Sequence, residues 1–109
     1  MSTARWEDFI DNLKDDAGIL AKDELKTLIK TVRNDSEDFI KKQGEKMERY
    51  LDQLAEGEIT RAQFEGYVMD IKDLTEMQAL KMSVAAKVRA QNLAQGMSDL
   101  VIKGLLTLI

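Results

Sequence analysis

Two rows of carboxylates are the first residues with the spacing to do chemistry: Asp8, Asp11 and Asp15, then Glu45, Glu48 and Asp52. Steps of three and four residues put each row on one helical face, where oxygens can gather a divalent cation or share a proton. The chain has no histidine and no cysteine, which removes the commonest general base, the commonest metal ligand and the strongest nucleophile. A di-iron bundle needs Glu-x-x-His pairs and so falls away. Acid–base work by paired carboxylates needs a concave site around a substrate, which helical rows do not create. Both rows read as solvated helix faces, and no catalytic residue, metal or cofactor is expected.

The strongest local signal lies mid-chain, in Asp52-Gln53-Leu54-Ala55-Glu56-Gly57-Glu58-Ile59-Thr60-Arg61-Ala62-Gln63-Phe64. Thr60 is a good N-cap, and Gln63 three residues later completes a capping box. Ile59 and Phe64 have the spacing of a hydrophobic staple. Gly57 stands where the preceding helix needs a residue that tolerates left-handed geometry. These features predict a short connection between antiparallel helices. The segment resembles a calcium-binding EF-hand loop in Asp52, Gly57, Ile59 and Phe64. It departs at Leu54 and Gln63, where the family has an oxygen ligand and its bidentate carboxylate. From Leu51 to Leu74 it also resembles the short C-terminal helical module of many bacterial proteins, through its Gly-x-Ile-Thr turn and following aromatic residue. Neither resemblance carries a function to this chain.

The elements that would position these residues are helices. At 109 residues the chain has room for one domain. With 44% hydrophobic and 33% charged residues, no proline and 6 glycines, it has the composition of an all-α fold. Before Gly57, apolar positions recur every 11 residues, in Leu25, Ser36, Met47; Leu28, Phe39, Tyr50; Ile29, Ile40, Leu51; and Val32, Gln43, Leu54. Such a repeat keeps one stripe on one side of a nearly straight helix. It predicts a first hairpin arm over 20–55, about 50 Å long at ~1.5 Å per residue from Asp23. Ser36 is a cap residue, but the repeat runs through it. The second arm, 61–95 and onward toward 109, carries its stripe in Phe64, Val68, Ile71, Thr75, Ala79, Met82, Ala86, Ala90, Leu93, Met97 and Val101. Alanines between Ala79 and Ala94 would let another helix approach closely. An N-terminal helix over 1–17, with Trp6, Phe9, Ile10 and Leu13 on one face, is expected to break near Gly18.

Two helical seams leave Tyr67, Leu74, Met77, Val88, Leu100 and Ile102 poorly covered. The C-terminal run adds Val101, Leu105, Leu106, Leu108 and Ile109, apolar on most sides of a helix. At about 10 residues it is short of the ~20 needed to cross a bilayer. Leu100, Val101, Ile102, Leu105, Leu106, Leu108 and Ile109 are therefore the candidate interface, completing a helical bundle by homo-oligomerisation or with a helical protein partner. A second reading has the same segment sheltered until a trigger exposes it to a membrane, with Lys103 reaching headgroups. The net charge of −4 argues against nucleic acid. Lys81, Lys87 and Arg89 are expected to complement the acidic N-terminus, within the chain or between subunits, rather than to hold an anionic ligand. With no signal-peptide core after Trp6, a cytoplasmic location is expected.

The capping box carries a direct test. Thr60→Ala should lower stability by about 1 kcal/mol in urea denaturation, with oligomeric mass unchanged.

Overall fold

Gly57 adopts φ +74 and closes its helix as a Schellman motif, with Glu58 N donating to Gln53 O at 2.8 Å and Gly57 N to Leu54 O at 3.1 Å. Three residues on, Thr60 Oγ1 accepts from Gln63 N, and Gln63 Oε1 accepts from Thr60 N. Both ends of the 56–60 connection thus satisfy their own backbone groups, which fixes where one helix stops and the next begins.

The computed structural model describes residues 5–109 and is all-helical. α1 spans Arg5–Asp11, α2 Lys22–Arg33, α3 Asp38–Ala55, α4 Arg61–Ala79 and α5 Val84–Gly96. A π-helical stretch, Met97–Ile102, extends α5, and a 3-10 turn follows at Leu105–Thr107.

Neither long arm is continuous. The first, expected over 20–55, is two helices, because Asp35 intervenes: its Oδ1 accepts from Glu37 N at 2.8 Å, and its carboxylate takes Arg89 Nε and Nη2 at 2.9 and 3.2 Å. A helical continuation would withdraw that carboxylate from α5. The second arm, expected from 61, breaks after Ala79, where Lys81 N and Met82 N tighten onto the carbonyls of Gln78 and Ala79. Ser83 then caps α5 by accepting from Ala86 N. A straight arm of about 50 Å would also exceed the molecule's longest extent of 39 Å. Folding each arm back on itself lets α2 pack on α3 and α4 on α5.

The N-terminal helix is shorter than 1–17. Residues 1–4 lie outside the described residues, and the helix ends at Asp11. Lys22 Nζ draws the freed carbonyls of Asp11 and Leu13, and the Asp15 carboxylate accepts from Ile19 N and Leu20 N at 2.9 and 2.8 Å. Gly18, at φ +66, lets the chain reverse inside this clamp.

α2 and α3 meet backbone to backbone. A Cβ added to Gly44 would stand 2.5 Å from Arg33 N and 2.8 Å from Arg33 Cα, so no side chain fits. Gly66 in α4 faces open space. The two glycines should therefore respond oppositely in urea unfolding. Gly44→Ala forces the helices apart and should cost about 1–3 kcal/mol, whereas Gly66→Ala should gain about 1 kcal/mol from helix propensity alone.

Candidate functional site

The C-terminal segment, expected to await a partner, is covered by its own chain. Val101 and Leu105 are fully buried and Leu106 nearly so, while Leu100, Ile102, Leu108 and Ile109 are half-buried against the same core. The physical reason is a change of helical pitch followed by a reversal. The π-helical stretch rotates the apolar side chains relative to α5. The backbone at Gly104 passes so close to Leu100 O that a Cβ there would lie 2.7 Å from it. Arg61, in the first turn of α4, then donates from Nε and Nη2 to Leu106 O at 3.1 and 2.7 Å. Contrary to the expectation of an external cover, Val101, Leu105 and Leu106 have no free surface to offer a partner. Near the other prominent turn, Phe64 is fully buried and Ile59 packs beside the core, whereas Gly57, Thr60 and Gln63 are exposed backbone-shaping residues.

The unmet apolar surface lies at the opposite end of α5. Met77, Leu80, Val84 and Val88 are 64, 77, 81 and 51% exposed, gathered around the α4–α5 turn. Met77 and Val88 were foreseeable as uncovered. Leu80 and Val84 were not, because a continuous second arm hides the fact that residues 80–83 form a projecting turn. Tyr67 and Leu74, foreseen with them, are half-buried, and Tyr67 stacks on Tyr50 at 4.6 Å between ring centroids. Between Met77 and Ser98 the sequence has no carboxylate. Arg89 is taken by Asp35, while Lys81 and Lys87 have no ion-pair partner among the described residues.

Within the chain, no ion pair joins these cations to the acidic N-terminus among the described residues. Asp11 pairs with Lys26 at 2.6 Å and Glu7 with Lys30 at 3.3 Å, both on α2. The hydrogen bond that Lys26 Nζ donates to Asp11 raises the Lys26 pKa above its ordinary value against the cost of desolvation, helped by the nearby charges of Asp11, Asp23 and Glu7. A raised lysine pKa stabilises the fold below the ordinary lysine range and stops doing so once pH climbs past the folded value, so this α1–α2 tie holds through neutral pH.

The second carboxylate row is engaged in structure. Glu48 Oε2 accepts from Trp6 Nε1 at 3.0 Å and from Arg33 Nη1 at 2.8 Å, and Asp52 Oδ1 accepts from Trp6 N at 2.9 Å. Asp52, first position of the EF-hand-like segment, thus serves as an anchor for α1. Among the described residues no group of three or more acidic side chains is placed to hold a metal ion.

A groove of about 440 Å³ runs between α2 and α5, with Leu28, Gly96 and Leu100 on its floor and Asp23 and Glu24 on its rim. Gly96 shapes it, since a Cβ there would clash with Leu28 Cδ2. Another, of about 410 Å³, lies between α1 and the end of α3 and is lined by Arg5, Asp8, Phe9, Leu13 and Glu56. No helix among the described residues is long and apolar enough to cross a membrane. No protein-family model, curated protein or solved structure matches the chain.

The burial of the C-terminal segment is open to a direct check. Replacing Leu105 and Leu106 together with Asp places two carboxylates in the core, which costs several kcal/mol. Circular dichroism should then show loss of cooperative thermal unfolding without lipid present; a variant that melts like the parent would disprove the placement.

Proposed function

We propose that the protein is a non-enzymatic assembly or adaptor module of the cytoplasm, associating with itself or with a helical partner through the apolar surface around the α4–α5 turn. The observation that carries this reading is the exposure of Leu80 and Val84, flanked by Met77 and Val88. Clustered apolar side chains of this kind are an interaction surface in soluble proteins, and covering each contributes roughly 1.5–3 kcal/mol. A bundle completed by a second molecule meets that need with the same helix-on-helix packing that the chain uses internally. The grooves are open and shallow in chemistry, each pairing an apolar floor with a charged rim, which suits a protein surface better than a substrate held for reaction. The net charge of −4 disfavours both nucleic acid and an anionic membrane. The membrane reading, which relied on a loosely held C-terminal segment, draws no support from one pinned by Arg61 and buried at Leu105.

Sedimentation velocity at micromolar concentration should give a mass above the 12.4 kDa of one chain, and Leu80→Asp with Val84→Asp should return it to the monomer while leaving helix content intact. A parent protein that remains monomeric across this range rejects self-association. Flotation of the parent with anionic vesicles, lost in the double variant, would favour the membrane instead.

A further inference from the structure

α4 turns one face inward, through Phe64, Val68, Ile71, Thr75 and Ala79. On the opposite face Met69, Asp73, Met77 and Leu80 follow at steps of four, four and three residues, and all four are exposed. Asp73, Glu76, Met77 and Leu80 line one groove, so the apolar residues there stand among carboxylates. Those carboxylates differ in what they already hold. Glu76 takes Lys72 at 2.9 Å, whereas Asp73 has no ion-pair partner among the described residues. Just past the helix end, Lys81 is exposed and equally without an ion-pair partner among them. Leu80 keeps right-handed helical angles and Lys81 N donates to Gln78 O at 3.0 Å, so the helical course continues as far as Lys81. Asp73 and Lys81 thus lie four residues to either side of Met77, each about 6 Å along the axis at ~1.5 Å per residue.

A face with an apolar centre and opposite charges equally spaced about it is complementary to itself after a half-turn. Resting on the self-association proposed above, we infer that two copies pair antiparallel along the ends of α4, with the two-fold axis at Met77. Each Met77 then meets its counterpart, Leu80 of each copy enters between Asp73 and Met77 of the other, and each Lys81 lies beside the other copy's Asp73. Every contact is made twice, as a closed two-fold interface requires. A parallel pairing would set Asp73 against Asp73 and Lys81 against Lys81, so charge fixes the direction. Charge also selects the occupant. Asp70 and Asp73, both exposed on α4, oppose an anionic bilayer, and a partner of one charge sign would satisfy Asp73 or Lys81 but not both. Val84, exposed across the turn at the start of α5, widens the apolar contact beside Leu80.

The chain has no cysteine, so single introduced thiols report the register directly. Met77→Cys should oxidise to a disulfide-linked dimer, because the two thiols meet at the axis. An equimolar mixture of Asp73→Cys and Lys81→Cys should give more of the mixed dimer than of either like pair. Glu58→Cys, exposed in the connection at the far end of α4, should not be linked under the same conditions. Without cross-linking, Lys81→Glu should raise the dissociation constant about tenfold in sedimentation velocity, since two weak opposite-charge contacts each become repulsive. Circular dichroism verifies that every variant keeps the parent's helix content. If the parent dimerises but Met77→Cys links no better than Glu58→Cys, or Lys81→Glu dimerises like the parent, the Met77 register is overturned while self-association through the turn stands. Growth of the parent beyond two chains with concentration would likewise overturn it in favour of an open contact. A parent that is monomeric throughout overturns both proposals.

Discussion

The carboxylate of Glu48 is the point on which three helices depend. It receives the indole N–H of Trp6 from α1 and the guanidinium of Arg33 from α2 while standing on α3. α1 is seven residues long, too short to persist as a helix without tertiary support. Its first turn also presents backbone donors that have no helical partner, and Asp52 satisfies one of them at Trp6. Burying the Trp6 ring places the largest apolar side chain of the chain over α3, while the paired carboxylates keep both of its N–H groups satisfied. Charge-assisted hydrogen bonds of this kind are stronger than neutral ones. The row Glu45, Glu48, Asp52 thus acts as architecture at its two inward positions.

Given α1 in place, the remaining packing is set by close approach. Gly44 lets α3 touch the backbone of α2 at Arg33, which holds that guanidinium where it reaches Glu48. On the other side, Asp35 in the α2–α3 connection grips Arg89 of α5, joining the two halves of the chain. Within the core sit two polar side chains, Gln43 and Thr75. Gln43 Nε2 donates to Phe39 O, but its Oε1 and the Thr75 hydroxyl have no hydrogen-bond partner among the described residues. Unpaired buried groups cost about 1–3 kcal/mol each, so the apolar packing around them must outweigh that loss.

The surface has an asymmetry that the interior lacks. Apolar residues at the C-terminal end are gathered inward by the π-helical stretch and the Arg61 contact, while those at the α4–α5 turn project outward near Lys81 and Lys87, which have no ion-pair partner among the described residues. The chain is acidic as a whole, yet the stretch from Met77 to Ser98 is purely basic among its charges.

Much of this was legible in the sequence because it depends on local chemistry. The Thr60–Gln63 box, the Gly57 cap and helicity itself follow from short-range hydrogen bonding and propensity. Burial was legible too: of the second stripe, only Met82 falls short of full burial, and it is partly covered. A period near that of the helix resumes after each interruption, so the face toward the core is kept even where the axis reverses. For that same reason the repeat could not reveal the breaks at 34–37 and 80–83. Those were decided by Asp35 reaching Arg89, 54 residues away, and by a helix length that only folding back makes compact. Nor could composition say that Leu105 and Leu106 find cover within the chain, since that depends on Arg61 meeting Leu106 across 45 residues. The sequence by itself determined which residues turn inward and where the strongest cap lies; the tertiary structure alone decided which apolar residues remain outside, because exposure is what is left after every long-range contact has been made.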